Sequence, residues 1–396
     1  MNTINSRNTA DNKQIGMYIH IPFCIRKCKY CDFVSESASD NIHERYINAL
    51  TDEINAFDVN QLEGCNLRSV FIGGGTPSAI KPEYIASVMD TVRTKFSAIC
   101  GNITEVTMEC NPGTVTAEKL RVYRNAGINR ISFGLQSAVD SELECIGRIH
   151  TWNDFRNSYR LAHEAGFDNI NVDLMFDLPD QTPDTWKLTL KSVCSLEPKP
   201  SHISAYSLIL EDGTPLAAQI EEERRRGIER LADEDTDRAM YHYAQSYLAD
   251  EGYHQYEISN FAMPSRESIH NLSYWECREY IGFGAAAASN LRDMRYRNTY
   301  DIDGYIAGAW RQKEDVEHLT AEDRMSEFVF LGLRMTAAGV NTEEFKIRFG
   351  IPFDDVFGDI TGRYVKEGLL CRHDGRITLT QRGIDVSNVI MADYIL

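Results

Sequence analysis

Three cysteines lie within eight residues, in the run Tyr18-Ile19-His20-Ile21-Pro22-Phe23-Cys24-Ile25-Arg26-Lys27-Cys28-Lys29-Tyr30-Cys31. Thiolates this close can converge on one inorganic centre, because soft sulfur ligands suit zinc and iron–sulfur clusters. The odd number separates the two. Structural zinc takes four protein ligands, yet the next cysteine is Cys65, and His20 and His43 do not complete a finger pattern. A four-iron cluster (4Fe-4S) held by three cysteines instead leaves one iron open to another ligand. The competing reading is three buried free cysteines acting as small hydrophobes. It fits poorly with Lys27 and Lys29 between them and Pro22 at the exit of the preceding strand.

Other groups with chemistry follow. Gly73-Gly74-Gly75-Thr76-Pro77 is neither the dinucleotide fingerprint nor a P-loop. Glycines make a tight turn, and they also let backbone carbonyls approach a ligand ammonium closely. Glu109, Gln136, Arg148 and Asp173 are each weak signals alone. Carboxylates suit a sugar diol and an arginine suits a carboxylate, but a strand-end carboxylate is commonly solvated or paired with a neighbour such as Arg130. In His270-Asn271-Leu272-Ser273-Tyr274-Trp275, the imidazole is either a hydrogen-bonded structural group or an axial ligand to heme iron, with aromatics packing the macrocycle. Cys277 is a second candidate for such a ligand.

These groups need a scaffold, and the pattern supplies one. Short apolar strands are predicted at Met17–Ile21, Ser69–Ile72, Glu105–Glu109, Arg130–Phe133, Ile170–Leu174 and His202–Leu208. Amphipathic helices are predicted between them, near Asn41–Phe57, Pro82–Phe96, Ala117–Asn125, Asp154–Glu164 and Pro183–Ser195. Gly127 and Gly166 each close a helix and launch a strand. Strands alternating with helices imply a parallel sheet with right-handed crossovers, here a partial (β/α)6 TIM-like barrel. The candidate groups then fall at strand C-terminal ends, where such barrels do chemistry. The expected layout is a disordered tail over 1–14, a barrel over 15–240 with the acidic stretch Glu221–Asp237 marking its end, a segment over 241–315 carrying His270, and a winged-helix-like unit over 316–396. In that last unit, helices precede a hairpin, Leu369–Thr380, around Asp374-Gly375. Its acidic excess predicts packing, or a lid over the barrel mouth, rather than DNA binding.

The spacing Cys-x3-Cys-x2-Cys after a strand resembles the radical S-adenosylmethionine (SAM) superfamily. The longer string Tyr18-x-His-Ile-Pro-Phe-Cys24 is similar to the family of the oxygen-independent coproporphyrinogen III oxidases and their relatives the heme chaperones, nearly to the C-terminus. The resemblance implies the same barrel, with a 4Fe-4S cluster on Cys24, Cys28 and Cys31 whose open iron chelates SAM. It also implies SAM contacts from Tyr18, from Gly73, Gly74, Gly75 and Thr76, and from Glu109, Gln136, Arg148 and Asp173. His270 would bind heme. Two functions share this scaffold. An oxidase would use SAM-dependent radical chemistry to decarboxylate coproporphyrinogen propionates. A chaperone would bind heme or another tetrapyrrole and pass it to apo-proteins, membrane-associated ones among them. Phe33 stands where the oxidases carry a further cysteine, the N-terminal tail is short, and the His270–Trp275 string is the chaperones' own, so the chaperone is expected. One departure cuts across both: Ala288 replaces a histidine usual in the family.

Composition sets bounds. The chain has 396 residues, 43% of them hydrophobic and 25% charged, and a net charge of −18, which argues against a nucleic-acid binder. Met1 to Gln14 lack a signal-peptide shape, and no apolar run has the length to span a bilayer. Ten cysteines outside a short secreted scaffold point to a reducing cytoplasm.

Overall fold

A computed structural model describes residues 13–101 and 103–396. The N-terminal half alternates strands and helices. They run β1 Lys13–Ile21, α1 Asp40–Ala56, β2 Cys65–Gly74, α2 Pro82–Lys95, β3 Glu105–Cys110, α3 Ala117–Asn125, β4 Arg130–Gln136, α4 Asp140–Cys145, α5 Trp152–Glu164, β5 Ile170–Phe176, α6 Pro183–Cys194 and β6 His202–Ser207. All six predicted strands and five predicted helices are present. Strands β1 to β6 pair in sequence order, each parallel to the last. The fold is α/β with a central parallel sheet. Strand β1 begins at Lys13, so Lys13 and Gln14 belong to the sheet and not to the polar tail; residues 1–12 lie outside the described residues.

The two faces of this sheet differ in chemistry. On β4 and β5, Ile131, Phe133, Leu135, Ile170, Val172 and Leu174 are fully buried in the main core. The alternating residues Arg130, Ser132, Asn171 and Asp173 turn to the other face and line a cavity. A period of two thus sorts apolar groups toward the helices and polar groups toward the concave side.

The chain then adds α7 Pro215–Arg225, α8 Glu234–Asp250, β7 His254–Glu257, β8 Asn260–Ala262, α9 Ile269–Trp275, β9 Tyr280–Phe283, β10 Ala288–Leu291, β11 Met294–Arg297, α10 Ile302–Ile306 and β12 Glu314–His318. The acidic stretch Glu221–Asp237 is divided between α7 and α8, with Gly227 at the turn between them. The sheet continues past it on both flanks: β8 and β7 add beyond β6, and β9 to β12 add beyond β1, giving twelve strands. Strand β9 pairs with β1 in parallel. No helix among the described residues is long and apolar enough to cross a membrane.

The C-terminal unit holds α11 Ala321–Arg334, β13 Val340–Asn341, α12 Thr342–Phe349, α13 Phe353–Lys366, β14 Leu370–His373, β15 Arg376–Leu379, α14 Gln381–Asp385 and α15 Ser387–Ala392. The hairpin turns at Asp374-Gly375, both with positive φ, and the unit has its own apolar core. It is not a lid over the barrel mouth. Arg334 reaches back to the buried Glu257 (3.2 Å) and lies over the Trp275 ring at 4.3 Å, and α11 packs against α9. These contacts seat it at the end of the sheet where the parallel strands begin.

Candidate functional site

The cysteine loop leaves β1 at Pro22 and is fastened along its length. Cys24 N–H donates to Glu36 O and Glu36 N–H to Pro22 O, both at 2.9 Å. Lys29 N–H donates to Ile146 O, and Leu216 N–H donates to Lys29 O. The glycine run continues this tie, since Gly75 N–H donates to Ile21 O (2.9 Å) and Thr76 N–H to Phe23 O (2.7 Å). Cys24, Cys28 and Cys31 are free and half-buried, and together they line a cavity of about 460 Å³ at the strand C-terminal ends.

Their environment suits a metal cluster. Arg148 Nη1 lies 3.4 Å from Cys28 Sγ, while Nη2 is held by Asn111 Oδ1 at 2.9 Å and by Gly134 O. Thr76 Oγ1 sits 3.4 Å from Cys24 Sγ. Burial pushes the Cys31 thiol up to about 11, so a thiolate there needs a bound cation. Among the described residues no three His, Cys, Asp or Glu converge as a single ion would require.

Around the cysteines stand Gly74, Gly75, Thr76, Glu109, Gln136, Arg148 and Asp173, all on the cavity wall. Gly74 adopts φ +106°, and a Cβ there would lie 2.2 Å from the His20 ring; a Cβ on Gly73 would meet the Glu109 carboxylate at 2.8 Å. At Gly74 the positive φ and the His20 ring leave room for glycine alone. Gly74 N–H donates to Glu109 Oε2 at 3.0 Å. Burial, then the nearby Asp173, push Glu109 up to about 7 against that bond. Asp173 accepts from Ser132 Oγ (3.0 Å) and Asn171 Nδ2 (2.8 Å), and burial raises it also. Gln136 has φ +75° at a register shift in the β4–β5 ladder, a strained turn of the kind found at ligand sites.

Gly73, Tyr18, His270 and Cys277 do not line the cavity. Tyr18 stacks on Phe71 and its hydroxyl meets His20 Nδ1 at 3.0 Å. Because His20 Nε2 must donate to Val34 O, Nδ1 is the acceptor and Tyr18 O–H the donor. Burial lowers this imidazole to about 4, keeping it neutral.

His270 is not presented as a heme ligand in this structure. It is 1% exposed, with Nδ1 at 2.9 Å from Ser69 Oγ and Nε2 at 3.0 Å from Tyr274 OH, and its ring stacks on Phe71. Both ring nitrogens are engaged, and burial lowers the imidazole to about 3. The string His270–Trp275 forms α9, which closes the barrel at the strand N-terminal ends. Glu105, the first residue of β3, accepts the amide N–H groups of Ile269 (3.0 Å) and His270 (3.1 Å). Cys277 is packed against the C-terminal core, with burial pushing its thiol up to about 12. It too is away from the cavity.

The sequence did not single out Tyr30, Tyr206 or Asn271 by themselves, yet all three line the cavity. Period-two alternation along β6 was the signal for Tyr206. Nothing local marked Tyr30 or Asn271.

The geometry agrees with what known proteins share with this chain. A profile of the Radical SAM superfamily matches residues 18–193, and one of the HemN C-terminal domain matches residues 319–386. Heme chaperone HemW from Lactococcus lactis is 35% identical over 97% of this chain and 98% of its own length. The chain belongs to the HemW family. HemW from Bacillus subtilis agrees, at 35% identity over 96% of this chain and 98% of its own. The solved structure of coproporphyrinogen III oxidase (HemN) from Escherichia coli, a radical SAM enzyme, superposes with a TM-score of 0.80 over 98% of this chain and 92% of that one. At 22% identity it shares the fold. In this member of the HemW family the cysteine loop and its cavity sit at the strand C-terminal ends, and α9 stoppers the far end.

Proposed function

We propose that this chain binds heme and delivers it to apo-proteins, with a 4Fe-4S cluster and SAM held at the strand ends. The observation that carries this reading is similarity end to end with chains named as heme chaperones, at 35% identity. Phe33 supports it: the residue is 61% exposed on the cavity rim. An aromatic surface at this rim suits the face of a macrocycle, where the oxidases place a thiol.

When bound, the cluster and SAM would supply a reducible sulfonium beside an electron donor. The chain's own residues do the holding. Cys24, Cys28 and Cys31 would ligate the cluster, and Arg148 supplies a fixed positive charge against Cys28. Glu109, Gln136 and Asp173 offer acceptors and a carboxamide for the ligand's amino, hydroxyl and adenine groups.

Heme-loaded protein mixed with an apo-hemoprotein should transfer its heme, read as growth of the acceptor's Soret band. Coproporphyrinogen incubated anaerobically with the reconstituted protein, SAM and a reductant should yield no protoporphyrinogen. Turnover without heme transfer would overturn the proposal in favour of the oxidase.

Glu109 gives a second expected outcome. A carboxyl raised to about 7 is a charged acceptor above that pH and protonated below it. Affinity of the cluster-loaded protein for SAM should therefore rise several-fold between about pH 6 and about pH 8, and Glu109→Gln should flatten the profile. Equilibrium dialysis with labelled SAM checks this, and equal slopes in both proteins would remove Glu109 from the site.

A further inference from the structure

Below the strand ends, the cavity runs down the inside of the barrel. Its lining includes Ser132 and Asn171 and extends to Arg130 and Asn271. Arg130 is the first residue of β4 and is 2% exposed. Its buried Nε has no acceptor among the described residues. Among the described residues no carboxylate forms an ion pair with it, although Asp173 feels its charge. Glu105 holds the amides at the start of α9, Asp173 takes Ser132 and Asn171, and Glu109 takes Gly74 N–H. Asn271 hydrogen-bonds through its backbone N–H to Ser268 Oγ, which leaves its carboxamide, on the cavity wall, without a protein partner among the described residues.

A guanidinium taken out of water with no anion against it carries a large desolvation penalty. Proteins hold such a group where a ligand completes it, and its planar fork matches a carboxylate. We propose that the barrel floor is a carboxylate subsite, in which Arg130, with Asn271 beside it, receives the anionic end of a ligand lying along the barrel axis. The subsite lies deeper than the strand-end residues assigned to SAM, although Asp173 among them feels the Arg130 charge. Arg130 and Gln136 are the two ends of β4, roughly 20 Å apart at about 3.3 Å per residue. Phe71 lines the cavity with the sealed His270 ring stacked behind it, and the charge of Arg130 bears on His270. The subsite stands on this geometry; only the choice of organic probes rests on the proposed function.

SAM and heme both end in carboxylates, so hemin, SAM and sodium propionate make three separate arms. Thermal unfolding and binding are measured for wild type, Arg130→Met, Arg130→Lys and Asn271→Ala. At least one probe should raise the wild-type melting temperature. Arg130→Met should melt above wild type without ligand, because the unpaired charge is gone, and should lose that probe's affinity at least tenfold. Arg130→Lys should recover part of it, and Asn271→Ala should weaken it without unfolding the protein. The arm that responds identifies the source of the carboxylate. The subsite is overturned if no probe stabilises wild type, or if all affinities persist in Arg130→Met and Asn271→Ala. Should Arg130→Met not fold, unchanged affinities in Asn271→Ala and Arg130→Lys overturn it alone. Hemin binding that survives every variant removes the subsite as a heme contact and leaves the chaperone proposal intact, whereas wild type that binds no hemin removes the chaperone proposal and leaves the other two arms to decide the floor.

Discussion

Cys24→Ala, Cys28→Ala and Cys31→Ala should each lose most of the reconstituted cluster, seen as loss of iron and of the broad charge-transfer absorption. The expectation follows from the count of donors. With three thiols on one fastened loop, removing one leaves two, and among the described residues the cavity wall offers one further cysteine, which is buried. Cys110 is on the cavity wall but 1% exposed, with burial pushing its thiol up to about 12. The fold should survive, because the loop is tied by backbone hydrogen bonds that do not involve the thiols. Thermal unfolding of the metal-free variants should therefore stay close to wild type. A variant that keeps four irons would remove its cysteine from the ligand set.

His270→Ala should act the other way, costing the fold about 3 kcal/mol of stability. The side chain fills a sealed site between β2 and α9, satisfies Ser69 and Tyr274, and stacks on Phe71 at 5.1 Å. Its removal leaves a cavity and two buried hydroxyls short of a partner. Cluster content should be unchanged, since His270 is outside the strand-end site. Denaturant unfolding checks the first expectation and iron analysis the second. Wild-type stability combined with loss of an axial-ligand signature in the heme spectrum would show instead that His270 is released to bind iron.

The contrast between those two sites shows what a sequence can carry. The cysteine loop was legible because its chemistry is local: three ligands, a strand and a proline stop lie within fifteen residues, Met17 to Cys31. The β/α alternation was legible because buried strands and amphipathic helices keep different periods, and Gly127 and Gly166 mark the joints. The flanking strands were not. Segments β7 to β11 are three or four residues long, and β9 finds its partner β1 more than 260 residues upstream. His270 shows the same limit at a site. Its neighbours in sequence suggested a heme box, while its environment comes from Ser69, Phe71 and Glu105, the last reaching α9 from 163 to 165 residues away. Arg130 was one counter-ion offered for a strand-end carboxylate; its charge does reach Asp173, but as the first residue of β4 it stands at the opposite end of that strand from Gln136.

The proposed function requires three cysteines to hold a cluster with one iron open beside a SAM pocket. Electron paramagnetic resonance of the reduced, anaerobically reconstituted protein, recorded with and without SAM, tests it most directly. The predicted result is about four irons per chain and a cluster spectrum that changes when SAM is added. A protein that holds zinc, or a cluster whose spectrum ignores SAM, would contradict it.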